Sequence, residues 1–422
     1  MRVAVIGAGI SGIAAAHNAQ QFADVTLYEA GTVLGGHTDT HNLFVDDRSF
    51  AVDSGFIVFN PRHYPLFSRW LDGLGVASKP TDMSFGVSLA GGLEYGTSDL
   101  KALFCQRRNL LRPDFLAMLR DIGRFYRRAQ RLVDDDRSLA ELFAEEQYSE
   151  SFVNGHLMPM CAALWSAPRD RTSAMPAAHV IAFMANHGLL QLRRRPVWRV
   201  IEGGSSAYLD AFESRFRGRI RKSCPVRRVQ RNKRGVNVHT DADAQSFDHA
   251  VLACHGDDAL RIVDPTPTEH AVLGAFRYQA NRAVVHSDAS VMPRNRRAWS
   301  SWNVHATHEG EFEFTYWMNR LQGIDSARQF FVTLNPKRPL DTVWVERDYR
   351  HPVFDQSTRI AQGRHHEINA ERTLYCGAYW DWGFHEDGFR SGCEAARRLL
   401  AHVSANGPAS GPVPSHPEAP AT

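Results

Sequence analysis

Three glycines and one acid carry the first chemical signal in this chain. Gly7, Gly9 and Gly12 follow the short apolar run Val3 to Ile6, and Glu29 ends the next such run, V-T-L-Y-E, 17 residues after Gly12. This is the spacing of a dinucleotide fingerprint. The first glycine permits a tight turn, the second lets backbone approach a pyrophosphate, and the third allows close helix–strand packing. The N–H groups at the start of the helix, at Ile10 and Ser11, favour phosphate charge. An acid at the end of the second strand accepts hydrogen bonds from ribose hydroxyls. Leu34-Gly35-Gly36-His37-Thr38 follows within a few residues of that acid and suggests a second close approach of backbone to ligand. The glycines alone do not separate NAD from FAD.

These motifs need elements to hold them. The opening predicts a strand, a helix and a second strand. Leu43 to Phe59 reads as paired strands, broken at Asp53-Ser54-Gly55-Phe56, and residues 62–76 read as a helix closed by Gly75. Residues 98–147 form a basic helical region. Arg107, Arg108, Arg112, Arg120, Arg124, Arg127, Arg128 and Arg131 alternate there with Leu110, Leu111, Phe115, Leu116, Leu119, Ile122 and Phe125. Such a helix can lie on an anionic bilayer or form the exposed face of a domain. Residues 150–195 continue as apolar helix, with Met158, Met160, Trp165, Phe183 and Met184, and end at the basic triplet Arg193, Arg194 and Arg195.

At Trp198 the pattern changes to strand, glycine turn and helix. Short strands follow around Pro225 to Val229 and Gly235 to His239, then a buried one within residues 247–255. Residues 282–350 alternate apolar and polar positions, as an antiparallel sheet does. A last strand leads through glycines into a helix spanning Glu394 to His402. The expected fold is α/β: a discontinuous Rossmann-like nucleotide domain (1–75, 196–270 and 366–403) with a substrate domain of mixed or antiparallel sheet and helices. The helical region 76–195 and the β-rich region 271–365 supply the latter, and the Pro- and Ala-rich stretch 404–422 reads as a disordered tail.

Composition narrows the classes. The 422 residues carry a net charge of +3, which gives no reason to expect nucleic-acid binding. Six cysteines (Cys105, Cys161, Cys224, Cys254, Cys376 and Cys393) contain no C-x-x-C pair, so no metal is expected. Scattered thiols fit a reducing cytosol, and the sequence shows neither a signal peptide nor a membrane-spanning run. The expected location is therefore cytoplasmic, with the arginine-rich segment 107–131 as a possible contact with the inner face of the membrane. Oligomeric state is not legible.

Taken together, these motifs resemble the FAD-dependent amine oxidase and phytoene desaturase-like flavoproteins, over nearly the whole chain from Met1 to about Val403. The matching positions are Gly7, Gly9, Gly12, Glu29, Gly35 and Gly36, then Val226, then Gly377, Asp387, Gly388 and Ser391. The resemblance implies FAD as cofactor. With the flanking positions, the implied contact set is Gly7, Gly9, Ile10, Ser11, Gly12, Glu29, Ala30, Gly35, Gly36, His37, Thr38, Phe56, Val226, Gly377, Asp387 and Gly388. A closer resemblance, through V-D-S-G-F-I-V-F-N-P-R-H-Y-P, W-S-A-P, N-H-G-L-L and Y-C-G-A-Y-W-D-W-G-F-H-E-D-G, is to a bacterial subgroup of predicted oxidoreductases. That subgroup is associated with cyclopropane-fatty-acid-synthase-like enzymes and furan fatty acids.

The resemblance implies dehydrogenation of a methylated fatty acyl chain of a phospholipid, with hydride passing to the flavin and a neighbouring proton to a base. His385, Glu386 and Asn319 are the expected catalytic residues, and Asn186, His187 and Tyr316 are further polar candidates. Tyr379, Trp380 and Trp382 are the aromatics that could cage an amine. The flavin-facing Lys of many amine oxidases is absent from the matching stretch, where Arg282 stands. The alternatives are an amine or porphyrinogen oxidase of the same fold, or a redox-neutral flavin isomerase.

Overall fold

The computed structural model describes residues 1–132, 137–165, 172–186, 188–191, 196–306, 312–369 and 372–406. The Trp165 and Asn186 side chains, His187, Arg193, Arg194, Arg195 and residues 407–422 lie outside what is described.

Val3 and Val5 point to one face of their strand, Ala4 and Ile6 to the other, and all four are buried. A strand apolar on both faces must be covered on both. Arg2–Ile6 is the centre of a five-stranded parallel sheet, flanked by His249–Leu252 and Thr373–Tyr375 on one side and by Asp24–Tyr28 and Arg219–Arg221 on the other. Helices Ile10–Ala19, Pro65–Leu74 and His385–Asn406 pack on the Val3/Val5 face. A three-stranded antiparallel sheet (Val226–Asn232, Gly235–Thr240 and Ala244–Phe247) covers the other face through Val229, Val236, Val238 and Phe247. Three segments far apart in sequence thus build one nucleotide-type sheet.

The second sheet has seven strands, in the order Val343–Val353, Arg277–His286, Phe331–Leu334, Phe312–Trp317, Trp302–Ala306, Phe85–Ser88 and Glu94–Gly96. Its pairs are antiparallel except Phe85–Ser88 against Trp302–Ala306. The last two strands come from the stretch 76–195, which the sequence presented as helical. Phe85–Ser88 is buried along its whole length, and its alternation of Phe85 and Val87 with Gly86 and Ser88 is too short to stand out from the helical stretch around it. The hairpin Thr40–Val45 with Arg48–Asp53 and the helix Pro65–Leu74, closed by left-handed Gly75 (φ 68°), lie where the sequence placed them.

The last helix starts at His385, nine residues before the expected Glu394. Gly388 and Gly392 suggested a turn, but they serve packing. A Cβ at Gly388 would sit 2.7 Å from Ile10 Cγ2, and one at Gly392 would sit 2.1 Å from the Ser11 carbonyl oxygen. The two helices approach closely because these positions have no side chain.

The arginine-rich region also differs. Helix Pro113–Arg128 turns Phe115, Met118 and Phe125 into the core of the second domain. Several of its arginines have protein partners: Arg124 lies 4.1 Å over the Tyr148 ring, and Arg128 pairs with Glu146 at 2.6 Å. No described helix is long and apolar enough to cross a membrane.

Candidate active site

A single cavity of about 1250 Å³ runs from the first βα turn into the space between the seven-stranded sheet and the helices. Pockets for one small ligand span about 300–1,000 Å³. The cavity is large enough for a dinucleotide and a second molecule.

The nucleotide end is built by the fingerprint. Gly7 takes φ +98°, which L side chains rarely adopt, and donates its N–H to the Tyr28 carbonyl oxygen at 2.9 Å. Gly12 does not line the cavity. A Cβ there would lie 1.9 Å from the Gly7 carbonyl oxygen, so its role is close packing of helix on strand. A Cβ at Gly9 would meet nothing within 4 Å, because Gly9 faces the cavity. Helix Ile10–Ala19 begins there without a side-chain cap and with no acid in its first turn, so its first N–H groups are left for an anion.

Glu29 lines the same end. Its Oε2 accepts from Ala8 N–H at 2.9 Å and its Oε1 from Gly31 N–H at 2.7 Å, which fixes the carboxylate with lone pairs to spare for ribose hydroxyls. Ala30, Gly35, Gly36, His37, Phe56, Val226 and Gly377 also line the cavity. The room beside Gly9, the uncapped helix start and the fixed acid all fit a dinucleotide. When bound, FAD supplies a two-electron acceptor that the protein's own side chains lack.

Besides Gly12, three expected contacts sit one layer back. Thr38 Oγ1 lies 2.5 Å from the Tyr208 hydroxyl, which lies 3.0 Å from His385 Nε2. Asp387 accepts from Phe384 N–H at 2.9 Å and pairs with Arg390, so it caps the last helix, and burial pushes its carboxyl up to about 6. Gly388 is the packing position already described.

The three expected catalytic residues have different fates. His385 lines the cavity, stacked on Phe56 with ring centroids 3.6 Å apart and planes 6° from parallel. Burial, and next the neighbouring His37, hold its imidazole well below the usual range. Glu386 is turned away from the cavity. Its two oxygens accept from Leu66 and Phe67 N–H, each at 3.0 Å, and so cap helix Pro65–Leu74. Asn319 also lies outside the cavity. Its Oδ1 accepts from Phe330 N–H at 2.7 Å and its amide donates to the Arg328 carbonyl oxygen at 2.8 Å, closing a surface loop.

Tyr316 lines the cavity, and burial pushes its hydroxyl up to about 12. Tyr379 and Trp382 line it as well, whereas Trp380 stacks on His365 at 3.8 Å. Arg282 is an exposed partner of Glu346 at 2.7 Å.

Several cavity residues had no sequence signal. His255, Tyr278 and His351 gather around His37. His37 stacks on His351 at 5.2 Å, and His255 on Tyr278 at 4.2 Å. The protonation of His351 is fixed by a chain of amides. Arg282 N–H donates to Asn335 Oδ1, Asn335 Nδ2 donates to Asn281 Oδ1, and Asn281 Nδ2 donates to His351 Nδ1, each at 2.9 Å. An imidazole that accepts at Nδ1 is neutral. Burial, with His37 and His255 nearby, pushes His351 down to about 3, and burial with the same kind of neighbours brings His255 to about 4.

This has a sign. A histidine lowered on folding stabilises the fold above its unfolded value near 6.5, and that contribution is lost as pH falls from there towards 3. The melting temperature is expected to drop steeply between pH 7 and pH 4.5. His351→Gln, which accepts the Asn281 hydrogen bond but cannot titrate, should drop less over the same range. Parallel curves by differential scanning calorimetry would count against the assignment.

The other end of the cavity is apolar, walled by Met83, Phe85, Met160, Phe183, Leu189 and Leu334 among others. One imidazole interrupts it. His156 sits on a single π-helical segment, Val153–Leu157, a local distortion that often marks functional positions. The Tyr95 hydroxyl donates to the Gly155 carbonyl oxygen at 2.8 Å, so its oxygen accepts from His156 Nδ1 at 3.0 Å. Nε2 is then the acceptor atom, 3.4 Å from the Tyr126 hydroxyl, and both His156 and Tyr126 line the cavity. Among the described residues only His255, Asp257 and Asp258 group as metal ligands would, and Arg261 and Arg350 already neutralise the two acids.

Comparisons with known proteins give the family and the fold. Residues 10–288 match the family model described as flavin containing amine oxidoreductase. The sequence matches no curated protein. Among solved structures, a putrescine oxidase bound to putrescine aligns with TM-score 0.68 and 15% identity, covering 95% of this chain and 99% of that one. A CLA-producing fatty acid isomerase from P. acnes aligns with TM-score 0.67 and 15% identity, covering 94% and 98%. A putative protoporphyrinogen oxidase from Exiguobacterium sp. aligns with TM-score 0.64 and 14% identity, covering 95% and 98%. Identities this low speak for the fold, and the family match speaks for the cofactor: the chain belongs to the flavin-containing amine oxidoreductases and is an FAD-dependent oxidoreductase.

Proposed function

We propose that this oxidoreductase desaturates a methylated fatty acyl chain of a phospholipid. The observation that carries the reading is the apolar end of the cavity. A chain of methylenes has no group that needs a charge, and Met83, Phe85, Met160, Phe183, Leu189 and Leu334 offer it none. The carboxylates of Asp82 and Asp258, which also line the cavity, are engaged by Arg320 and by Arg261 and Arg350. An ammonium substrate would therefore find no unpaired anion at these positions. The likeness to a fatty acid isomerase supports the acyl class, although the likeness to a putrescine oxidase is equally close.

Desaturation removes a hydride from one carbon and a proton from its neighbour, leaving a double bond. Bound FAD would supply the acceptor for that hydride and its electron pair. His156 Nε2 is the acceptor for the proton, because the Tyr95 hydrogen bond fixes its lone pair toward Tyr126 and the chamber. Phe85, Met160 and Phe183 exclude water and hold the chain extended. An allylic position beside a methyl branch eases the hydride's departure.

His156→Phe is expected to slow anaerobic flavin reduction by an acyl lipid about 10²–10⁴-fold, the usual contribution of a positioned general base. Bound FAD and its absorbance spectrum should not change. An unchanged reduction rate would remove His156 from the chemistry. Rapid reduction by amines and none by any acyl lipid would overturn the substrate class.

A further inference from the structure

Large apolar side chains are seldom exposed in clusters without a reason. Ten are exposed among the described residues, and four of them fall between residues 100 and 116: Leu111 (87%), Leu100 (73%), Leu110 (51%) and Leu116 (47%). They lie on the short helix Leu100–Leu103, the 3₁₀ segment Arg107–Leu111 and the start of helix Pro113–Arg128. Exposed cations occur in the same and neighbouring segments, beside two exposed acids, Asp99 and Asp114, of which Asp114 pairs with Arg112 at 2.5 Å. Lys101, Arg107 and Arg108 come from the same stretch, and Arg294 and Arg297 from a turn pinned beside it. That turn is fixed by Asn295 Nδ2 donating to the Cys105 carbonyl oxygen at 2.9 Å and by Arg294 and Asn295 N–H donating to buried Glu94 at 2.8 and 2.9 Å.

We infer that this surface docks the protein on an anionic phospholipid bilayer. Leucines would enter the acyl boundary while the arginines and Lys101 meet headgroup phosphates, the pattern of interfacial binding. The surface differs from the helix face that the sequence suggested, because Phe115 and Phe125 of that helix are committed to the core.

The position also serves the cavity. Thr97 and Ser98 line it, are partly exposed, and immediately precede Asp99 and Leu100. A lipid held at the leucine patch is therefore next to a margin of the chamber. The inference rests on the acyl-lipid reading for the purpose of docking, but not for the binding itself.

The test is co-sedimentation of the FAD-loaded protein with vesicles of phosphatidylcholine containing phosphatidylglycerol, beside vesicles of phosphatidylcholine alone. Binding should require the anionic lipid and weaken with salt. Leu110→Ser with Leu111→Ser should reduce partitioning at least tenfold, since each change removes the burial of a leucine side chain. The same variant should keep wild-type turnover on detergent-dispersed substrate. Equal vesicle binding by variant and wild type would overturn the docking surface. So would concentration-dependent self-association that the variant abolishes without any vesicle binding, because the patch would then meet a second copy. Vesicle binding without turnover on any acyl lipid would support the surface and remove the substrate reading.

Discussion

Gly9→Val is expected to yield a folded protein that cannot hold FAD. The position has φ −70° and ψ 179°, an extended conformation open to any residue, and a Cβ there meets nothing within 4 Å. The fold therefore has no reason to object. The added methyls stand where a pyrophosphate must approach the first N–H groups of helix Ile10–Ala19. Losing two such charge-assisted hydrogen bonds, at about 1.5–3 kcal/mol each, weakens FAD by at least ~100-fold. The purified variant should be colourless, with a native circular dichroism spectrum. Gly12→Ala is the contrast: its Cβ would lie 1.9 Å from the Gly7 carbonyl oxygen, so it should compromise folding itself. A yellow Gly9→Val protein with wild-type flavin content would place the cofactor elsewhere.

Asp53→Ala is expected to cost about 3–5 kcal/mol of stability. Asp53 is 0% exposed, and its carboxylate joins three parts of the molecule. Thr40 Oγ1 donates to it from its own hairpin at 2.5 Å. Ser205 donates through N–H and through Oγ, each at 2.9 Å, from the segment before helix Ala207–Glu213. Gln322 Nε2 donates at 2.7 Å from the substrate domain, while Gln322 Oε1 takes the Asp53 N–H at 2.9 Å. Truncation strands these donors away from water at about 1–3 kcal/mol each, partly relieved by relaxation. Urea unfolding monitored by fluorescence would show the midpoint shift. A change below about 1 kcal/mol would mean that the hub is not a junction.

The nucleotide end was legible because its signals are local. Gly7, Gly9, Gly12 and Glu29 belong to one βαβ unit, and each does its work within a few residues of its neighbours. Glu386 shows where local reading fails. It stands beside His385 in a run that looks catalytic, yet the N–H groups it caps are about 320 residues away in sequence. His351 and His255 fail for the same reason in reverse. Neither belongs to a motif, and only the pairing of Val343–Val353 with Arg277–His286 and the crossover after His249–Leu252 bring them to His37. His156 depends on a π-helical distortion that side-chain periodicity does not encode. The helical reading of residues 76–195 missed Phe85–Ser88 because its alternation of Phe85 and Val87 with Gly86 and Ser88 lasts only four residues inside a mainly helical stretch.

The most direct test of the account is anaerobic mixing of FAD-loaded protein with a phospholipid bearing a methylated, monounsaturated acyl chain, followed by flavin absorbance and by mass spectrometry of the extracted lipid. The flavin band should bleach, and the recovered lipid should be lighter by two hydrogens. A lipid of unchanged mass with a moved double bond would contradict desaturation and make the protein an isomerase. Bleaching by amines or porphyrinogens, with the lipid intact, would contradict the acyl substrate.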